Sequence, residues 1–311
     1  TNHYNYNSGT ISGAGTFKMA GLFDCSGVRG TNCTINTTNV DLSGAVTLDI
    51  SGALEIVPNI TLDNTLTIQD GGDLSGGRIT LNGNSAQIIM NGTGDISNNI
   101  TITNAATPAL DINQDCSYNG TITANAAYTI DVLHPKKFRL TNDYDFNGNA
   151  LTLIANNYNG QLIFENNVLQ DANLIITTGT VATTSSDSTN HYNWNSGNIS
   201  GTGTFKVGGL LDVSGSSGNL NINTTSVDLS GDVIFDISGA LGVIPGFSLW
   251  SGDLTIQNHC DLSGGTININ GVNGKLVVDA SGNISNDITI SSATTDPAID
   301  INKDCSFNGP A

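Results

Sequence analysis

Short segments in which apolar and polar residues alternate recur along the chain: Val46-Thr47-Leu48-Asp49-Ile50, Leu66-Thr67-Ile68, Ile79-Thr80-Leu81, Ile100-Thr101-Ile102 and Leu151-Thr152-Leu153. An apolar side chain at every second position lies on one face of a β-strand, so each segment predicts a short, half-buried strand. Gly, Asn and Asp break these runs at almost every junction, where the backbone must turn. None is long enough to stand as a free hairpin. Two-residue hairpin spacing is uncommon, so consecutive strands need not pair antiparallel.

A long repeat carries the strands. Residues 1–26 read TNHYNYNSGTISGAGTFKMAGLFDCS and residues 189–214 read TNHYNWNSGNISGTGTFKVGGLLDVS, with 19 of 26 positions identical. Farther on, LTIQDGGDLSGG at 66–77 meets LTIQNHCDLSGG at 254–265, and TPALDINQDCSYNG at 107–120 meets DPAIDINKDCSFNG at 296–309. Residues 1–188 therefore form a first long unit of one continuous solenoid, and 189–311 a partial second copy matching 1–122. The expectation is an excerpt from a longer array.

A shorter period sits inside. The tripeptide Asp-x-Ser, once Asn-x-Ser, returns in steps of 20 to 25 residues, and its middle residue is apolar every time: Cys25, Ile50, Leu74, Ile96 and Cys116, then Val213, Ile237, Leu262, Ile284 and Cys305. A 20–25-residue period of short strands predicts coils stacked so that equivalent residues pile into ladders. These ten residues are the expected core ladder. A second ladder of aromatics is expected at Tyr6, Tyr118, Tyr158, Trp194 and Phe307, each followed by Asn. Parallel strands joined by crossovers are right-handed almost without exception. The fold expected is all-β, a right-handed parallel β-helix (β-solenoid) with three short strands per coil.

Composition agrees with this reading and removes others. Of 27 acidic residues all but Glu55 and Glu165 are Asp, Gly numbers 37, and charged residues make up 12% of the chain. That is turn chemistry rather than helix-surface chemistry. Nine Lys and Arg against 27 acids give a net charge of −18 and cannot build a phosphate-binding surface, so no nucleic-acid partner is expected. No apolar run is long enough for a membrane-spanning helix. No signal-peptide pattern is visible, and an export signal, if there is one, is expected outside the segment.

Candidate chemistry is sparse. The Asp residues of the repeated tripeptide, Asp24, Asp49, Asp73 and Asp115 among them, would stack about 5 Å apart, either as a hydrogen-bonded turn ladder or as a Ca²⁺ site. The calcium-binding glycine repeat is absent. The cationic cluster is His134-Pro135-Lys136-Lys137-Phe138-Arg139, followed by Asp143 and Asp145. It reads as a charged loop, or as the cation-and-carboxylate set of an enzyme acting on acidic polysaccharide. Cys25 and Cys33 align with Val213 and Leu220, so both are small buried apolar residues or together form a disulfide. Cys116 and Cys305 are each other's equivalents, and Cys260 follows His259 without the further ligands a metal needs. His3 and His191 lie in Asn-rich turns and read as surface residues. Asn36-Thr37-Thr38, Asn59-Ile60-Thr61, Asn91-Gly92-Thr93 and Asn223-Thr224-Thr225 match the glycosylation acceptor pattern, as an Asn- and Thr-rich composition yields by itself. No catalytic residue, cofactor or metal is assigned.

The Asn-, Gly- and Thr-rich coils, such as GNISGTGTFKVGGLLDVSG at 197–215, resemble the β-helical shafts of giant secreted bacterial proteins, the filamentous-haemagglutinin-like adhesins and autotransporter passengers. The resemblance runs along the whole chain and is one of style, with no motif that carries a catalytic residue across. It implies an extracellular or cell-surface scaffold whose partners are other copies of itself and possible surface glycans. The expected function is a non-enzymatic structural segment of a filament, sheath or surface fibre. The alternatives are an adhesin shaft and a carbohydrate-binding or carbohydrate-cleaving β-helix.

Overall fold

A computed structural model describes residues 3–25, 32–133, 135–142, 144–145, 150–154, 160–164, 168–170, 172–176, 180–183, 191–194, 197–213, 219–292 and 296–309. Every regular element among them is a strand, and parallel sheets stack as a β-solenoid of about 11 turns. Two compact units, Thr1–Leu162 and Ile163–Ala311, divide the chain. This division falls inside the first sequence repeat, because compactness follows packing whereas the repeat boundary is a matter of phase.

In the first unit each coil crosses three faces. The first face holds Thr65–Gln69, Gln87–Met90, Leu110–Ile112 and Tyr128–Val132. The second holds Ala53–Ile56, Asp73–Gly76, Cys116–Tyr118 and Lys137–Leu140. The third holds Ile60–Leu62, Ile79–Asn82, Ile100–Asn104 and Ile122–Ala124. The longer elements Gly9–Cys25 and Asn32–Ile50 pass around all three faces, their mutual register shifting at the bends.

Pairing is parallel and in register, so the alternating pattern becomes a stack of like side chains. On the first face the inward row is Val46, Leu66, Ile88, Leu110 and Ile130, one residue per coil. On the third it is Ile60, Ile79, Ile100 and Ile122. All nine are buried. Between them point outward Thr61, Thr80, Thr101 and Thr123, themselves in register. A coil buries its apolar row only against the coils before and after it, at the inter-strand spacing of about 4.8 Å.

The second unit repeats the plan. Its third face stacks Phe205, Val227, Phe247, Ile267 and Ile288, and its first face stacks Val233, Leu254, Leu276 and Ile299. The ion pair Lys18–Asp41 at 3.0 Å in the first unit has its equivalent in Lys206–Asp228 at 3.4 Å in the second. Both are solvent-exposed and add little to stability.

Glycine is required where the second face ends. Gly76 and Gly264 have φ of 115° and 121°, and a Cβ there would lie 2.2 Å from Ile56 O and 2.1 Å from Val243 O. The Asp-Leu-Ser-Gly-Gly sequence common to both repeats is thus a strand followed by a corner in which one coil's backbone presses on the next.

Candidate functional site

The expected core ladder is inward-facing but is not one stack. Cys25 pairs with Ile50, and Val213 with Ile237, at the end of the first face. Leu74 and Ile96 belong to the second face, where the stack runs Cys33, Leu54, Leu74, Ile96, Tyr118 and Leu140. In the second unit the matching stack is Leu220, Leu241, Leu262, Ile284 and Phe307. Cys116 stacks instead on Phe138, and Cys305 lies two positions before Phe307. Nine of the ten are buried and Cys305 is half-exposed.

Corner length explains the difference. The 24 residues from Ile50 to Leu74 are a four-residue advance around a corner to Leu54 followed by a 20-residue coil. The 20 residues from Ile96 to Cys116 fall two short of the true coil step to Tyr118. The expected aromatic ladder divides in the same way. Tyr6 hydrogen-bonds through its amide to Asp24 O on the first face, whereas Tyr118 and Phe307 sit on the second. Tyr158 and the Trp194 side chain lie outside the described residues.

The repeated Asp residues act mainly as ties between coils. Asp73 Oδ1 accepts from Asp95 N at 2.9 Å, Asp95 Oδ1 from Ser117 N at 3.3 Å, and Asp115 Oδ1 from Lys137 N at 2.8 Å. In the second unit Asp261 Oδ1 accepts from Asn283 N at 3.0 Å. Asn and Thr at the corners do the same, with Asn113 Nδ2 donating to Asn91 Oδ1 at 3.0 Å and Asn104 Nδ2 to Asn84 Oδ1 at 2.6 Å. Among the described residues no three His, Cys, Asp or Glu side chains converge as metal ligands.

At the end of the first face the carboxylates crowd. Asp24 pairs in register with Asp49, His3 Nε2 lies 3.2 Å from Asp24 Oδ2, and Asp70 follows on the next coil. Burial first, then hydrogen bonding and repulsion from Asp70 and repulsion from Asp24, push the Asp49 carboxyl up to about 6, with His3 opposing. Beside it Ser51, Asp70, Gly71 and Thr93 line a polar recess of about 340 Å³.

Of the cationic cluster, Lys137–Leu140 is a strand, and Pro135 and Lys136 lie in the turn before it. Phe138 and Leu140 enter the core while Lys137 and Arg139 alternate with them on Lys137–Leu140. Lys136 Nζ donates to Gln114 Oε1 at 2.9 Å. His134, Asp143 and the Asp145 side chain lie outside the described residues.

The cysteines are free thiols, and Cys25, Cys33, Cys116 and Cys260 are buried. Burial, followed by a hydrogen bond to Cys33, pushes the Cys25 thiol far up, and burial raises Cys116 and Cys260 to about 12. His259 Nδ1 is 2.9 Å from Ser281 Oγ, and the His191 side chain is outside the described residues. Asn36, Asn59, Asn91 and Asn223 are exposed, and Asn59 Oδ1 accepts from Arg78 N at 2.9 Å.

Two buried polar residues have no counterpart in the expected set. Asn98 and Asn286 are 1% and 0% exposed, and their Nδ2 atoms donate to Gly77 O and Gly265 O at 2.8 Å each. The legible signal was an Asn shared by both repeats directly before the third-face strand, Ser97-Asn98-Asn99 and Ser285-Asn286-Asp287. An apolar recess of about 390 Å³ lies on the last coil of the second unit, lined by Leu276, Ile284, Ile299, Ile301 and Phe307. These are inner-row side chains, so the recess is core cross-section rather than a ligand cleft. Their equivalents Leu110, Ile112 and Tyr118 are covered by Ile130, Val132 and Leu140.

No family model, curated protein or solved structure matches this chain. The class its geometry defines is the β-solenoid proteins.

Proposed function

We propose that the chain is a stretch of an extracellular structural β-solenoid, a repetitive scaffold for a filament, sheath or surface fibre, and that it is not an enzyme. One observation carries the reading: core residues stack on like residues one coil away, as in Ile60, Ile79, Ile100 and Ile122. Stability of that kind accrues coil by coil and lets length grow without a larger core. Corner Asn, Asp and Thr side chains are used in coil-to-coil hydrogen bonds, as scaffold chemistry requires. The partners proposed are other copies of the same chain.

Electron microscopy of the native material, with a glycan-depolymerisation assay on the purified chain, tests this. Fibres or sheaths without turnover are expected. Isolated monomers that cleave a polysaccharide would overturn the reading in favour of a β-helical carbohydrate enzyme.

A further inference from the structure

The crowded carboxylates have an internal reference. In the first unit Asp24 pairs with Asp49, Asp49 with Gln69, and Asp70 follows with φ of 62°. In the second unit Asp212 pairs with Asp236, Asp236 with Gln257, and Asn258 follows with φ of 67°. The two corners share register and a left-handed φ, and where the first carries Asp70 followed by Gly71 and Gly72 the second carries Asn258 followed by His259 and Cys260, with Val213 in place of Cys25. The Asn258 amide donates from Nδ2 to Asp236 Oδ1. An ionised Asp70 has no proton to donate, and Asp49 Oδ1 is sealed from solvent without a hydrogen-bond partner.

We propose that Asp49 and Asp70 form a proton-operated clasp between coils, closed in mild acid by one proton shared between the two carboxyls and opened at neutral pH when that proton leaves. The proton comes from solvent onto Asp49, and the resulting O–H donates to the Asp70 carboxylate, replacing the hydrogen bond that Asn258 makes at every pH. Two adjacent carboxylates that share one site hold one proton more tightly than either alone, and here Asp49 is half-buried while Asp70 is exposed. The groups facing Asp49 are Asp24 from the coil before, Asp70 from the coil after, the Cys25 thiol and, more distantly, His3. Three of these four add no positive charge, and His3 lies against Asp24.

The direction of the pH effect follows. The carboxyl of Asp49 is raised from 3.8 to about 6 in the folded chain, so the folded state holds a proton that the unfolded state has released. The clasp's contribution is complete below the unfolded value and is lost as pH rises through the folded one.

Thermal unfolding of the full chain from pH 3.5 to 7.5, for the wild type, Asp70→Asn and Asn258→Asp, tests the clasp. Asp70→Asn installs the residue the second unit already carries at a closely similar φ, 62° against 67°, and is expected to fold. Its melting temperature is expected to lose part of the wild type's decline with rising pH and to exceed the wild type's at pH 7.5. Asn258→Asp is expected to gain a decline between pH 4 and 6. In ¹³C-carboxyl titrations the Asp49 midpoint moves from about 6 in the wild type towards 3.8 in Asp70→Asn. Parallel pH profiles for the wild type and Asp70→Asn, or an unmoved Asp49 midpoint, would overturn the proposal.

Discussion

Ile96 bridges in parallel register to Tyr118, not to Cys116, although Cys116 is the residue that shares its Asp-x-Ser motif. The Tyr118 ring fills the second-face core, and its hydroxyl lies 2.8 Å from Asn98 O and 2.9 Å from Thr121 O, its one proton shared between them. Tyr118→Ala is expected to cost about 3–5 kcal/mol through the cavity it leaves. Tyr118→Phe, which keeps the ring and strands a buried carbonyl, should cost about 1 kcal/mol. Urea unfolding separates the two, and equal costs would deny the ring its place in the stack.

The glycine corners make a backbone prediction. At Gly76 or Gly264 an added Cβ meets both a left-handed φ and the carbonyl of the coil below. Alanine at either position is expected to destabilise by about 2–3 kcal/mol. Gly15→Ala is the control, since a Cβ there meets nothing within 4 Å, and its effect should stay within about 1 kcal/mol. A loss at Gly15 as large as at Gly76 in chemical denaturation would mean that glycine content alone, not coil contact, sets these positions.

Asn98 tests how dry the corner is. Its Oδ1, like that of Asn286, is buried without a partner while Nδ2 binds a backbone carbonyl. Asn98→Asp places a carboxylate where a donor stood, and should cost about 3 kcal/mol or more at pH 7. Such a carboxyl is raised by burial, so the loss shrinks as pH falls and the neutral acid regains an O–H donor for Gly77 O. A penalty that grows on acidification, read from stability at pH 4 and 7, would contradict this placement.

The thiols give a chemical prediction. Burial holds Cys25, Cys116 and Cys260 protonated at neutral pH, so native protein should alkylate slowly at all three and rapidly once unfolded. Cys25→Val with Cys33→Leu, the pair found at Val213 and Leu220, is expected to fold with a change of less than about 1.5 kcal/mol. Mass spectrometry after a timed iodoacetamide pulse checks the first expectation, and fast native labelling would place these side chains outside the core.

The chain announced its architecture through period alone. Alternation such as Ile79-Thr80-Leu81 makes a strand because side chains switch faces at each residue, and a 20–25-residue recurrence lets each strand meet its like one coil on. Which like residue it meets was not legible. Asp49-Ile50-Ser51 and Asp73-Leu74-Ser75 read as one motif yet lie on different faces, since a corner at Ser51 and Gly52 separates the strand of Ile50 from that of Leu54, the true stacking partner of Leu74. Strand pairing depends on local alternation that the sequence displays directly. Register depends on how many residues each corner consumes, and that number is set by backbone contact between coils, as at Gly76 against Ile56 O, and by side-chain ties such as Asn258 to Asp236. Those contacts join residues about 20 positions apart and exist only once the coils have stacked.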